Sequence, residues 1–255
     1  GWFYMLRKDV FKIIDVHAHI GGDQRFLMRV DAKNFIDTMN KFNIEFSFVS
    51  SLTSLYTDFS IGNRELLKIV KRYSEKIMGL VAVNPYYGNE AVKELRKYVL
   101  KYGFRGVKLH PTYFKISMLD KLTIRIVKEA VKINVPLMIH SYDGGIEVSR
   151  LAEKFPDALI IMYHMGGLNW REGVLRVKDF KNIYAEISSS VCDKGMIEFA
   201  VKELGAERIL YGSDIPYQDP SVSLGKVLGA DISDREKKMI LYENTYNLLL
   251  KGGWN

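Results

Sequence analysis

Close to the start of the chain runs Phe11-Lys12-Ile13-Ile14-Asp15-Val16-His17-Ala18-His19-Ile20-Gly21-Gly22, an apolar segment leading into two histidines one residue apart. The run over residues 11–16 reads as a buried strand. Strand side chains alternate faces, so Asp15, His17 and His19 point the same way and both imidazoles can reach one metal ion. Gly21 and Gly22 are expected to end the strand and leave room above it. The blander reading is a pair of histidines that pack or cap a strand end.

Working outward, seven more apolar runs follow, over residues 46–50, 78–83, 106–110, 136–140, 159–164, 183–187 and 209–212. Helical patterns lie between or after them: 31–43 with Asp31 as N-cap, 64–73, 89–102, 122–133, 146–155, 170–177, 196–204 and 235–250. Strands apolar on both faces and separated by helices imply a parallel sheet covered on both sides, an α/β fold. About 250 residues is the usual size of a (β/α)8 TIM barrel. The absence of a glycine-rich phosphate loop after the first strand weakens the doubly wound alternative. No linker or composition shift divides the 255 residues, so a single domain is expected, with residues 1–10 as an N-terminal extension.

Composition narrows the function. Hydrophobic residues make up 47% and charged residues 26%, a globular balance that excludes disorder as a main theme. No apolar run reaches the roughly 18–20 residues of a membrane span. The 37 basic against 30 acidic residues give +7, but the lysines are scattered along helix faces, which argues against nucleic acid as partner. The start, interrupted by Arg7, Lys8 and Asp9, does not read as a secretory leader. The single cysteine, Cys192, excludes an intrachain disulfide and a cysteine-rich zinc site, and points to a reducing, cytoplasmic compartment.

The five histidines are His17, His19, His110, His140 and His164, each at or near the C-terminal end of a strand run. In a parallel barrel those ends form one rim, where active sites sit. Leu210-Tyr211-Gly212-Ser213-Asp214 brings a carboxylate to the same rim. Three histidines and one aspartate make a nitrogen/oxygen set that suits Zn²⁺, or Fe²⁺, Mn²⁺ or Co²⁺. A histidine left over could act as general base or acid. Taken singly, His164 could be a buried neutral histidine and Asp214 a helix cap.

Asp15-Val16-His17-Ala18-His19, Gly106-Val107-Lys108-Leu109-His110-Pro111, the run ending at His140, His164-Met165-Gly166-Gly167 and Tyr211-Gly212-Ser213-Asp214-Ile215-Pro216 occur in that order. Together they resemble the amidohydrolase superfamily, in its amidohydrolase-related branch that includes aminocarboxymuconate-semialdehyde decarboxylase. The resemblance implies a barrel with one divalent metal per chain, most simply Zn²⁺, held by His17, His19, His140 and Asp214. His164 then matches the proton-transfer histidine, so that His164 and Asp214 are the implied catalytic pair. Lys108, as a carbamate, would bridge two metals; as a free ammonium it would bind a substrate carboxylate, or pair with an acid such as Glu186. One metal is favoured.

The leading expectation is hydrolysis of a small amide, lactone or ester by metal-activated water. The rival is non-oxidative decarboxylation of a small carboxylic acid on the same scaffold. Lys108, a protonated His110 and Arg25 could contact the substrate in either. A TatD-like deoxyribonuclease would need a strand-four glutamate that this chain lacks near Lys108. A barrel that merely stores metal is disfavoured by the surplus histidine. Neither a nucleic-acid nor a membrane partner is expected; a homodimer is so only by analogy with similar families.

Overall fold

The computed structural model describes residues 11–252, so the expected extension over residues 1–10 and the reading of the chain start lie outside the described residues. The described residues alternate strands and helices around one curled, nine-stranded sheet. Strand β1 (Ile13–Asp23) turns back through β2 (Met28–Val30) and continues to α1 (Ala32–Lys41). Next come β3 (Ile44–Ser51), α2 (Leu52–Tyr56), α3 (Phe59–Arg72), β4 (Ile77–Ala82) and α4 (Asn89–Arg96). The middle of the chain supplies β5 (Gly106–Leu109), α5 (Pro111–Phe114), α6 (Lys121–Lys132), β6 (Leu137–His140) and α7 (Ile146–Lys154). Then follow β7 (Ile160–Tyr163), α8 (Trp170–Val177), β8 (Ile183–Glu186), α9 (Met196–Leu204) and β9 (Ile209–Leu210). Two helices close the chain, α10 (Pro220–Leu228) and α11 (Asp234–Lys238), the latter prolonged by π-helical turns at Met239–Glu243 and Tyr246–Leu250.

The sheet order is β2-β1-β3-β4-β5-β6-β7-β8-β9, parallel except for the β1–β2 hairpin. Among the described residues no continuous ladder joins β9 to β1. The two edges meet through a bridge between Ala18 and Ile215 and through three backbone bonds: Val16 N to Tyr211 O (3.0 Å), Asp214 N to His17 O (2.7 Å) and His19 N to Ile215 O (2.7 Å). Strand alternation divides the core. In β7, Ile161 and Tyr163 join an inner cluster with Ile14, Val16, Phe48, Leu80, Met138 and Leu210, while Ile160 and Met162 pack in the outer layer with the helices. Among the described residues no helix is long and apolar enough to cross a membrane.

Local chemistry accounts for most boundaries. Asp31 caps α1 as expected, accepting from Asn34 N at 2.8 Å. Three expectations need correction. Strand β1 does not stop at Gly21-Gly22 but runs to Asp23, because residues 21–23 pair antiparallel with residues 28–30. Residues 53–62, outside both the expected strand over 46–50 and the expected helix over 64–73, are mostly helical, with Ser51 and Asp58 capping α2 and α3. Helix α10 was not anticipated, although Asp219-Pro220 is an N-cap followed by proline at the first helical position.

Candidate metal centre

The C-terminal ends of the strands hold a cavity of about 710 Å³, whose lining includes all five histidines, Lys108, Asp214 and Arg25. At its floor His17 Nε2 and His19 Nε2 are 3.2 Å apart, and each is 3.3 Å from Asp214 Oδ1. One ligand atom each of His17, His164 and Asp214 also lie within 4.8 Å of one another. His140 stands further out, its Nδ1 3.1 Å from His164 Nε2. The structure therefore gathers His17, His19 and Asp214 into one triangle with His164 close by, and sets His140 next to His164.

Each inner histidine is oriented by a partner on its other ring nitrogen. His17 Nδ1 faces Glu186 Oε2 at 2.9 Å and Ser188 Oγ at 3.0 Å. His19 Nδ1 faces Ser50 Oγ at 2.8 Å. His164 Nδ1 donates to the Ser188 carbonyl at 2.8 Å, which leaves its Nε2 without a proton and able to accept from His140 Nδ1 (3.1 Å). With Nδ1–H given to Glu186 and to Ser50, His17 and His19 likewise turn bare Nε2 atoms inward. Burial holds all five imidazoles below their ordinary range, His164 at about 4, which favours their neutral forms. Burial raises the Asp214 carboxyl, but the neighbouring His19 and His164 rings and the Lys108 amine outweigh it, and the net shift is downward.

These donors fit a divalent cation. Ligand atoms about 2.0–2.1 Å from an ion at tetrahedral angles are about 3.3–3.4 Å apart, close to the edges of this triangle. In this buried place Lys108 Nζ faces His17 Nε2 (3.2 Å), while the His19 Nε2 lone pair stands against the Asp214 carboxylate oxygen (3.3 Å). His164 and Asp214 both adopt left-handed backbone, at φ 68° and 61°. Such strain persists only where surroundings over-determine it. Here His164 N donates to Glu186 Oε2 (3.2 Å) and Asp214 N to His17 O (2.7 Å).

Lys108 is buried, with Nζ 3.2 Å from His17 Nε2 and 4.1 Å from the centre of the Tyr163 ring. Burial lowers its ammonium to about 7, against the pull of Asp214 and Glu186. It makes no ion pair with Glu186 among the described residues; that carboxylate is taken by His17 and the Ser188 hydroxyl and amide. His110 is not held as a cation: its Nδ1 accepts from Tyr113 N (3.2 Å), which leaves Nε2–H as a neutral donor. Arg25 lines the cavity but spends Nε and Nη2 on Asp23 (2.9 and 2.6 Å) and lies 3.8 Å over the Tyr56 ring. The Asp15 carboxyl is occupied by other donors: it accepts from His17 N, Ser213 N and Ser213 Oγ, tying β1 to the segment after β9.

Sequence reading named Glu186 only as a partner for Lys108 and passed over Ser188, Ser50 and the aromatic walls. His110 stacks on His140 (centroids 3.8 Å), His140 on Tyr142 (5.3 Å), and Tyr56 meets Tyr113 edge-on (4.5 Å). The available signal was position: Glu186, Ser188 and Tyr142 all fall at or just beyond strand ends.

A family model described as amidohydrolase matches residues 14–250. Among curated proteins none matches. Solved structures do. 2,6-Dihydroxybenzoate decarboxylase from Rhizobium is 16% identical with a TM-score of 0.75, covering 95% of this chain and 100% of that one. 5-Carboxyvanillate decarboxylase from Novosphingobium aromaticivorans, complexed with manganese, is 15% identical with a TM-score of 0.74, covering 94% and 96%. 4-Oxalomesaconate hydratase from Rhodopseudomonas palustris is 16% identical with a TM-score of 0.72, covering 94% and 96%. At these identities the likeness is one of fold.

Proposed function

This chain belongs to the amidohydrolase family, and we propose that within it the protein is a metal-dependent decarboxylase of a small, flat carboxylic acid. The observation that carries the reading is the make-up of the cavity: ring-built walls beside the His17–His19–Asp214 triangle, with Lys108, Arg25 and Lys115 in its lining. Stacked walls favour a planar substrate, and the cations favour a carboxylate. Two of the solved structures of this fold are decarboxylases of aromatic acids, which supports lyase over hydrolase. On this reading the curled sheet is a (β/α)8 TIM barrel, whose seam is made by the hydrogen bonds between β1 and the segment after β9.

His17, His19 and Asp214 would hold one divalent ion, zinc or manganese, with His164 or His140 completing the set. When bound, the ion supplies a Lewis acid that orients the substrate's oxygen atoms and stabilises negative charge developing on it. The chain's own groups do the rest. Lys108 and Arg25 bind the anionic acid, His110 donates through Nε2–H, and the rings of His140 and Tyr142 flank the flat substrate. The bond from carbon to the carboxylate breaks and leaves its electron pair on carbon. CO₂ leaves, and a proton taken from solvent or from the substrate's own acidic group is handed to that carbon through Asp214, a corner of the triangle, or His164 beside it.

The test is a screen of aromatic and muconate-like carboxylic acids for CO₂ release with Zn²⁺ or Mn²⁺ present, run beside esters, lactones and amides for acid release. CO₂ release that falls about 10²–10⁴-fold in His164→Asn with metal content retained supports the reading. Acid release from a lactone or amide, with no CO₂ from any acid, makes the protein a hydrolase instead.

A further inference from the structure

Lys226, on α10, stands behind the cavity wall, half-buried and with no ion pair among the described residues. Its ammonium is aimed at backbone: it donates to the carbonyls of Ile187 (2.9 Å) and Ser189 (2.7 Å). Those two residues flank Ser188, whose own carbonyl faces the other way and takes Nδ1–H of His164. The Ser188 hydroxyl stands 3.0 Å from His17 Nδ1 and 2.9 Å from Glu186 Oε2. One cation thus holds the two outer carbonyls on the α10 side while the middle one is turned into the site, the alternation that extended backbone allows. Hydrogen bonds from a charged donor are the strong kind, and two of them on residues i and i+2 leave the intervening peptide little freedom.

We propose that Lys226 is a positioning residue: by clamping the carbonyls of Ile187 and Ser189, it sets Ser188 so that His164 and His17 each keep their bare ring nitrogen turned toward the metal. The effect runs from a helix outside the cavity, through a backbone segment, to the tautomers of two site histidines. Partners of this kind on the far ring nitrogen are worth about 10–100-fold in metal affinity elsewhere. The inference rests on the placement of His17 and His164 in the site, not on the reaction catalysed there.

The experiment compares Lys226→Met, which keeps the stem and removes the donors, with Lys226→Arg, which keeps the charge and the donors. Three quantities are read: the Zn²⁺ dissociation constant by competition with a chelator, the imidazole ¹⁵N spectrum of the metal-free protein, and its melting temperature. Lys226→Met is expected to weaken Zn²⁺ binding about 10-fold and to shift or broaden the His164 Nδ1–H signal, and Lys226→Arg to restore both. Unchanged Zn²⁺ binding and an unchanged His164 signal overturn the proposal even if the melting temperature falls, since Lys226 then only supports the fold. Should Lys226→Met not fold, Lys226→Gln takes its place with the same two outcomes. Neither readout needs turnover, so a failed search for CO₂ release leaves the proposal standing, and its failure leaves the reaction open.

Discussion

Glu186 Oε2 and His17 Nδ1 meet at 2.9 Å, and both side chains are shut off from solvent. The carboxyl also accepts from Ser188 Oγ and from the amides of Ser188 and His164, so one group orients the first-strand histidine and pins the backbone of the seventh-strand one. Burial lifts the Glu186 carboxyl to about 8 and holds His17 well below its usual range. A cation on the far nitrogen of His17 favours the arrangement in which Glu186 accepts.

Glu186→Gln is therefore expected to keep the shape of the residue and lose the tautomer control. An amide N–H turned to His17 Nδ1 places the ring proton on Nε2, inside the triangle. Divalent-metal affinity, measured by chelator competition, should fall about 10–100-fold. Wild-type affinity in this variant would show that Glu186 does not set the ring.

Gly212 lies directly beneath this pair. A Cβ there would come 2.4 Å from Glu186 Oε1 and 2.8 Å from His17 Cβ, nearer than any tolerated contact. Gly212→Ala is expected to destabilise by about 1–3 kcal/mol and to weaken metal binding at the same time, read by thermal unfolding with and without Zn²⁺. Normal metal binding in a destabilised variant would mean that the pair relaxes without moving the triangle.

The rim carries its own pH dependence. Asp23 is held down to about 2 by the hydrogen bond from Arg25, with burial opposing and the Tyr217 hydroxyl (2.6 Å) assisting. Because its folded pKa lies below the ordinary 3.8, its stabilisation is present above that value and is lost as pH falls through about 2. Arg25 is half-exposed, so the contribution is screened to about 1 kcal/mol. Asp23→Asn should remove it, and the difference in unfolding free energy from wild type should shrink as pH drops from 4 to 2. A difference that stays constant over that range would refute the assignment.

Arg25 divides its guanidinium between Asp23 and the cavity. Arg25→Lys keeps the charge but cannot hold both Asp23 oxygens while lying flat on Tyr56. Once a substrate is in hand, KM is expected to rise several-fold to about 10-fold, with kcat and metal content near wild type. A fall in kcat with unchanged KM would move Arg25 from binding to the chemical step.

Much of this protein follows from local pattern. The alternation of buried strands with amphipathic helices, the His17–His19 pair on one strand, and the arrival of His110, His140, His164 and Asp214 at strand ends are readable because side-chain periods of 2 and 3.6 depend only on neighbours. Other features depend on residues far apart in the chain. That Glu186, 169 residues on, grips His17 follows from how the sheet curls. So does the placing of His164 nearer the triangle than His140. That Gly21-Gly22 continue a strand follows from a hairpin partner, and that Lys226 reaches the carbonyls of Ile187 and Ser189 follows from where α10 packs. Periodicity tells which face a side chain takes, but only the curvature of the sheet and the packing of helices on it decide which two faces meet.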